Sequence, residues 1–353
     1  MRVRFATRLM WPALPGCLAA LLGVSGAALA QEIRVREHVE VPRVLVDARV
    51  VDRRGDAIGS LTARDFRVLV DGRPALLESV EWVEGTQPFA EGLTPEQAIG
   101  TGAQAAPPGR LVVFFFQADF AQVRLSGLMR MKARAITFLN TLQPTDRVAV
   151  LSFDSHLRFR QDFTRDRESL ETAIHRSIMF GGEEHVAASP CPSLVPSFDF
   201  AAAVKAASPE TALLVVARAL EKLPGAKSLV YFGWGLGQLS GGSVLRRVTM
   251  GRDYAPARAA LARARASVFA IDVTDADYHD LEAGLEQVAA DTGGFYAKTN
   301  LFPDQAMTRL EGALAGHYVL VVVRPDGPHG THAISIEVSP KEWTVLARST
   351  YDD

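Results

Sequence analysis

The stretch Leu111-Val112-Val113-Phe114-Phe115-Phe116-Gln117 decides the fold. It is too short for a buried helix and has no wet face for a surface strand. An unbroken apolar run of this length fits a strand in the middle of a parallel sheet, covered on both faces. Reading onward, residues 126–142 carry Leu128, Met129, Ala135, Ile136 and Leu139 at helical spacing, with Arg130, Lys132 and Arg134 on the wet side. Strands are predicted at 147–153 and 157–163, helices at 167–178 and 210–223, and a strand at 227–232. A helix at 255–266, a strand at 267–273, a helix at 280–291 stopped by Thr292-Gly293-Gly294, and a strand at 295–298 complete the run. Strand and helix alternate, which predicts an α/β fold with a doubly wound, mostly parallel sheet.

On either side of this run the rhythm is β. Residues 42–52 alternate β-branched and polar side chains, a half-buried strand. Arg53-Arg54-Gly55-Asp56 turns the chain, a strand covers 66–70, and Asp71-Gly72 is a strong hairpin signal before a return strand at 75–83. After residue 317 three more strands are expected, at 318–323, 332–338 and 344–350. Each zone alone is too small to bury a sheet face, so residues 31–83 and 317–353 are expected to form one discontinuous β-sandwich-like domain around an α/β domain at 110–316. Residues 84–109 collect Gly, Pro, Ala, Thr and Gln without periodicity and read as a linker.

Residues 1–30 read as a signal peptide. Arg2, Arg4 and Arg8 precede an apolar, small-residue stretch at 18–30 that ends in Ala28-Leu29-Ala30. Cleavage there would make Gln31 the first residue; a lipid anchor on Cys17 is the rival, with Pro15 and a short preceding apolar run against it. The chain has 38 basic and 40 acidic residues, and losing the three leader arginines would leave 35 against 40. Nothing in that balance points to nucleic acid. Of two cysteines only Cys191 would remain, in a Pro-flanked loop without a His/Asn constellation around it, which excludes an internal disulfide. No later stretch has the length of a membrane helix. The expected location is therefore periplasmic or extracellular, with no integral membrane span after cleavage.

The segments LVVFFFQ, QPTDRVAVLSFDSHLRFRQDFTRDRESLETAI, KSLVYFG and SVFAIDV resemble the sheet and helices of a von Willebrand factor A domain. The flanking β zones resemble those of secreted bacterial proteins of the same kind, so the resemblance runs from about residue 41 to 351. It implies a protein-interaction module, many relatives of which hold a divalent cation at the carboxyl end of the sheet. The family's cation motif, Asp-x-Ser-x-Ser, is here Gln117-Ala118-Asp119-Phe120-Ala121, and the loop where a later Asp is expected reads Phe232-Gly233-Trp234-Gly235. A hard cation wants an all-oxygen cage, so the site reads as degenerate, with no metal and no other cofactor expected.

The predicted binding face is Gln117, Asp119, Phe120, Trp234 and Asp275, with a protein as partner. Two other readings compete. A displaced cation site could use Asp119, Asp275 and Asp277. The glycine-rich loop after Phe232 or the acidic loop after Val273 could serve an enzyme or a small-ligand binder. The first loop lacks the glycine and lysine pattern of a phosphate cradle. The second reads as a solvated turn in which Asp277 or Asp280 caps the next helix. Gly-x-Ser-x-Gly and His-Glu-x-x-His are both absent from the sequence. Arg246, Arg247, Arg252, Arg258, Arg263 and Arg265 read as a wet helix face.

Overall fold

A computed structural model of the chain describes residues 42–84, 109–119, 121–178, 186–190, 192–240, 247–276 and 278–353. The leader, Cys17, nearly all of the predicted linker, Phe120, Cys191 and Asp277 lie outside them.

Six strands form the central sheet: β5 (Leu111–Gln117), β6 (Arg147–Phe153), β7 (Leu157–Thr164), β8 (Lys227–Gly233), β11 (Ala266–Asp272) and β12 (Tyr296–Lys298). Their order is β12-β11-β8-β5-β6-β7, parallel except for β7, which runs against β6. All seven residues of β5 are buried, because its two faces feed two cores. Val112, Phe114 and Phe116 join one with α1 (Gln122–Leu139) and α7 (Pro303–Ala315). Leu111, Val113 and Phe115 join the other with α4 (Pro209–Leu220) and α5 (Tyr254–Arg263). Phe115 stacks on Tyr231 and Phe116 on Phe232, with ring centroids 4.9 and 4.8 Å apart, so the two central strands are locked on both sides.

Helix α1 begins at Gln122, a turn earlier than its apolar spacing predicts. The amides of Arg124 and Leu125 reach the Ala121 carbonyl, and Asp119 takes the Ala121 amide. Its buried stripe is Leu128, Met131, Ala135, Phe138 and Leu139, and Met129 is 44% exposed instead of facing the core. The helix α2 (Arg167–Ser177) and the stop of α6 (Glu282–Thr292) agree with the sequence, Gly293 taking φ +75 to end α6. The short α3 (Phe200–Lys205) and helix α7 are additions that alternation did not reveal, as are β9 (Gln238–Ser240) and β10 (Arg247–Thr249).

The opening and closing zones pair with each other. Strand β1 (Arg43–Val51) lies antiparallel to β13 (His317–Val323), from Arg43 opposite Val323 to Ala48 opposite Tyr318. With β15 (Thr344–Ala347) and β4 (Leu77–Val83) they make one four-stranded sheet. Strands β16 (Thr350–Asp352), β14 (Thr331–Val338), β2 (Phe66–Val70) and β3 (Arg73–Pro74) make a second. One apolar cluster, including Val46, Ala48, Phe66, Val68, Tyr318 and Ile334, joins the two.

Two expectations change. The Asp71-Gly72 turn forms, with φ of 49 and 75, but the return strand stays beside β2 only to Ala75 before the chain crosses to the other sheet. Pro74 has no amide to continue the ladder. The predicted strand at 344–350 is likewise divided between the two sheets.

Strand β1 was expected to be half-buried. Its second face is covered too, because it lies against the amino-terminal edge of the central sheet. Arg49, 4% exposed, donates to Ser267 Oγ at 2.8 Å, and Asp47 forms a two-bond ion pair with Arg265. His317 Nε2 stands 3.5 Å from Asp47.

Candidate functional site: the carboxyl edge of the central sheet

Strand β5 lies between β6 and β8, and the helices that follow β5 and β8 go to opposite faces: α1 to one core, α5 to the other. Loops leaving the two strands therefore part at their carboxyl ends. In open α/β sheets this divergence makes the crevice where ligands settle.

Gln117 occupies the crevice. It is 1% exposed, and its Oε1 accepts from the backbone amides of Trp234 at 2.9 Å and Gly235 at 3.2 Å. Position 233 must be glycine for this bridge, since a Cβ there would stand 2.2 Å from the Tyr231 ring and 2.6 Å from Gln117 Oε1. The amide Nε2 of Gln117 is buried and has no partner.

The other predicted residues are drawn into clamps on α1. Asp119 accepts from the Ala121 amide at 2.7 Å and pairs with Arg124. The Arg124 guanidinium lies over the Trp234 ring, 3.6 Å from its centroid, a cation–π contact. Trp234 is half-buried against the core below, its Nε1 enclosed and without a partner. On the far side of the helix, Asp275 accepts from Ser126 and pairs with Arg130. Partial burial pushes the Asp275 carboxyl up, but the Ser126 and Arg130 hydrogen bonds and the Arg130 charge prevail and hold it below the usual carboxylate range. Gly127 brings α1 onto the end of β11, since a Cβ would meet the Val273 carbonyl at 1.6 Å. The structure thus gathers Gln117, Asp119, Trp234 and Asp275 at one edge.

These residues do not fit a hard divalent cation. A cage for Mg²⁺ or Ca²⁺ needs about six oxygen ligands. Here the acceptor of Gln117 faces two amides, Asp119 and Asp275 each hold an arginine, and the only hydroxyl among the contacts, Ser126, is spent on Asp275.

Sequence reasoning missed a neighbouring constellation. Asp272, 1% exposed at the end of β11, accepts from the Thr274 amide at 2.9 Å, His279 Nε2 at 2.8 Å and the Tyr296 hydroxyl at 2.8 Å. Burial, and then the Asp272 charge, push the Tyr296 hydroxyl far up. Glu282 pairs with Lys298 at 2.7 Å. One ligand atom each from Asp272, His279 and Glu282 lies within 4.8 Å of the others, the one such group among the described residues. Both Asp272 oxygens and the Glu282 carboxylate already have partners, so the cluster fastens the start of α6 and strand β12 to β11. A strand-end Asp followed seven residues later by His is the only trace it leaves in the sequence. Asp280 does not cap α6; the cap position is Leu281, with no side-chain hydrogen bond. The predicted wet arginines are in part paired, Arg263 with Glu221 and Arg265 with Asp47.

No protein-family profile matches the chain, and no curated protein matches it. Among solved structures it is similar to a von Willebrand factor type A protein from Catenulispora acidiphila, at 10% identity and a TM-score of 0.41, over 88% of this chain and 73% of that one. It is also similar to the conserved hypothetical protein BatB from Bacteroides thetaiotaomicron (15% identity, TM-score 0.37, 57% and 97% of the two chains). A third likeness is to the three amino-terminal domains of the type V pili tip protein Mfa5 from Porphyromonas gingivalis (10% identity, TM-score 0.39, 79% and 67%). Likenesses this distant carry nothing about function. No helix of the described residues is long and apolar enough to cross a membrane.

Proposed function

We propose that the chain is an exported, non-catalytic interaction module that holds a protein partner at the carboxyl edge of its central sheet without a metal ion. The observation that carries this reading is Gln117: the crevice where a cation or small ligand would settle is bridged by its amide to the Trp234 and Gly235 backbone. What remains at the edge is a surface of fixed shape, an arginine–tryptophan stack flanked by two carboxylates. Aromatic and arginine side chains of this kind carry much of the energy at interfaces. The leader is removed after Ala30, and the protein works in the periplasm or outside the cell. On the same reading the chain divides into a discontinuous β-sandwich domain, expected at 31–83 with 317–353, around an α/β domain expected at 110–316.

The test is partner capture from the native envelope with Trp234→Ala and Phe120→Ala, scored per folded molecule. Both substitutions should weaken capture, Trp234→Ala by about 2 kcal/mol. Trp234 rests on the core, so its loss should also lower the melting temperature modestly. If stability falls while capture per folded molecule is unchanged, the residues are lids on the sheet and the binding face lies elsewhere.

A further inference from the structure

Beside β12, and apart from the Gln117–Trp234 crevice, an open cleft of about 350 Å³ lies between the turn after β1 and the start of α7. It is lined by Arg53, Arg54, Arg309 and Lys298, with Phe302 at its rim. Lys298 is paired with Glu282. Among the described residues no carboxylate lies within ion-pair distance of Arg53, Arg54 or Arg309, although Asp52 is near enough to Arg54 to feel its charge. The one acid in the lining, Asp52, turns its carboxylate inward, accepting from the amides of Arg54 at 2.8 Å and Asp56 at 2.9 Å.

The cleft is held in shape. Gly55 lets the turn press on α7, since a Cβ there would be 3.1 Å from Arg309 Cα, and a Cβ at Gly312 would meet the Gly55 carbonyl at 1.8 Å. The half-buried Arg309 guanidinium rests over the Phe295 ring, 4.3 Å from its centroid. Burial pulls its pKa down, so an anion brought to it regains what desolvation costs. Beside these cations Phe302 is 66% exposed.

Three guanidiniums without an ion pair among the described residues, on an otherwise slightly acidic protein and next to the exposed Phe302 ring, match one chemistry. We propose that this cleft docks an acidic protein segment carrying aliphatic or aromatic residues, its carboxylates on Arg53, Arg54 and Arg309 and its apolar side chain against Phe302. Guanidinium forks suit carboxylates by geometry as well as charge. The volume admits a few side chains of an extended segment.

The probe is a short fluorescein-labelled peptide alternating Glu or Asp with Leu, followed by anisotropy on the full chain. A second peptide, with Gln and Asn in place of the acids, is the control. The acidic peptide should bind, weaken several-fold as salt shortens the Debye length from about 30 to about 8 Å, and lose about tenfold in affinity on Arg53→Glu with Arg54→Glu. Both residues are exposed, so the double variant should keep its melting temperature. Phe302→Ser should weaken the same peptide to a smaller degree. Equal binding of the neutral peptide, or indifference to the double charge reversal, overturns the proposal. Full competition by millimolar inorganic phosphate overturns it in favour of a small-anion site. Neither result touches the reading of the carboxyl edge, whose variants are at other residues.

Discussion

At the amino-terminal end of the central sheet, the arginine–carboxylate pair is buried between layers; at the carboxyl end, the buried Asp272 apart, such pairs lie along loops. Arg49 reaches Ser267 and Ser228 on β11 and β8, while Asp47 and Arg265 pair with only 10% and 13% of their side chains exposed. Asp119 with Arg124 and Asp275 with Arg130 sit at 22–34% exposure. The same chemistry therefore has different consequences. A buried pair is costly to break because it leaves a charge without compensation, whereas exposed pairs contribute roughly 0–1 kcal/mol. One end of the sheet is built to fix two sheets against it, and the other to shape loops at small energetic cost.

The largest expected effect follows directly. Asp47→Ala should destabilise the protein by about 3–5 kcal/mol, measured as a fall in the urea midpoint, since it removes the buried carboxylate that Arg265 pairs with and whose charge offsets that of Arg49. Asp119→Ala should cost under about 1 kcal/mol. If the two variants melt alike, the contrast between the ends is false.

The next effect is on pH. Burial pushes His317 down to about 4, against the opposing pull of Asp47. Burial pushes Asp47 up, but Arg265 first, and then His317 and Arg49, bring it to about 2. The folded state thus binds fewer protons than the unfolded state at both groups, so stability rises with pH. Going down in pH, it should fall between about 6.5 and 4 through His317, then between about 4 and 2 through Asp47. The first window contributes on the order of 3 kcal/mol at most. Stability curves from urea titrations should show this slope and lose its upper part in His317→Gln. A flat profile between pH 4 and 6.5 would mean that His317 is hydrated.

How much of this was legible beforehand differs between the ends as well. The run of β5 announced its own burial, and each strand of the central sheet is where periodicity placed it, because helical and strand repeats are local properties. Asp47 and Arg49 were not legible as buried. Along β1 they alternate with Val46, Ala48 and Val50 as wet-face residues do, and only contacts far along the chain, to Ser228, Arg265, Ser267 and His317, cover them. At the other edge, the sequence showed Gln117 where the resemblance expects an acid. That its amide would bridge to Trp234, or that Arg124 would stack on that ring, depends on how the loops part, which no local pattern records.

Gln117→Ala isolates that bridge. It strips two buried backbone amides of their acceptor, so a loss of about 1–3 kcal/mol is expected, intermediate between the two kinds of ion pair. Hydrogen exchange at Trp234 and Gly235 should speed up before global unfolding does. Unchanged exchange there would show that the loop is held by Trp234 packing alone.

The smallest effect is expected from divalent ions. Linkage makes stabilisation by a ligand RT ln(1 + [L]/Kd). With the edge carboxylates committed to Arg124 and Arg130, and Gln117 facing amides, an ion would first have to displace a guanidinium. One millimolar Mg²⁺, Mn²⁺ or Ca²⁺ against a dissociation constant of roughly 10 mM or weaker adds about 0.1 kcal/mol or less, below what a thermal melt resolves. Asp272, His279 and Glu282 are the sharper challenge, because an imidazole with two carboxylates suits Zn²⁺ better than Mg²⁺. Zinc binding there would have to pull His279 from Asp272 and Glu282 from Lys298, so it too should stabilise little. A saturable rise in melting temperature with Zn²⁺ that His279→Ala removes would give the carboxyl edge a metal of its own and end the contrast drawn between the two ends. A rise with Mg²⁺ or Ca²⁺ that survives His279→Ala but is lost in Asp119→Ala or Asp275→Ala would instead restore a displaced cation site on the loops themselves.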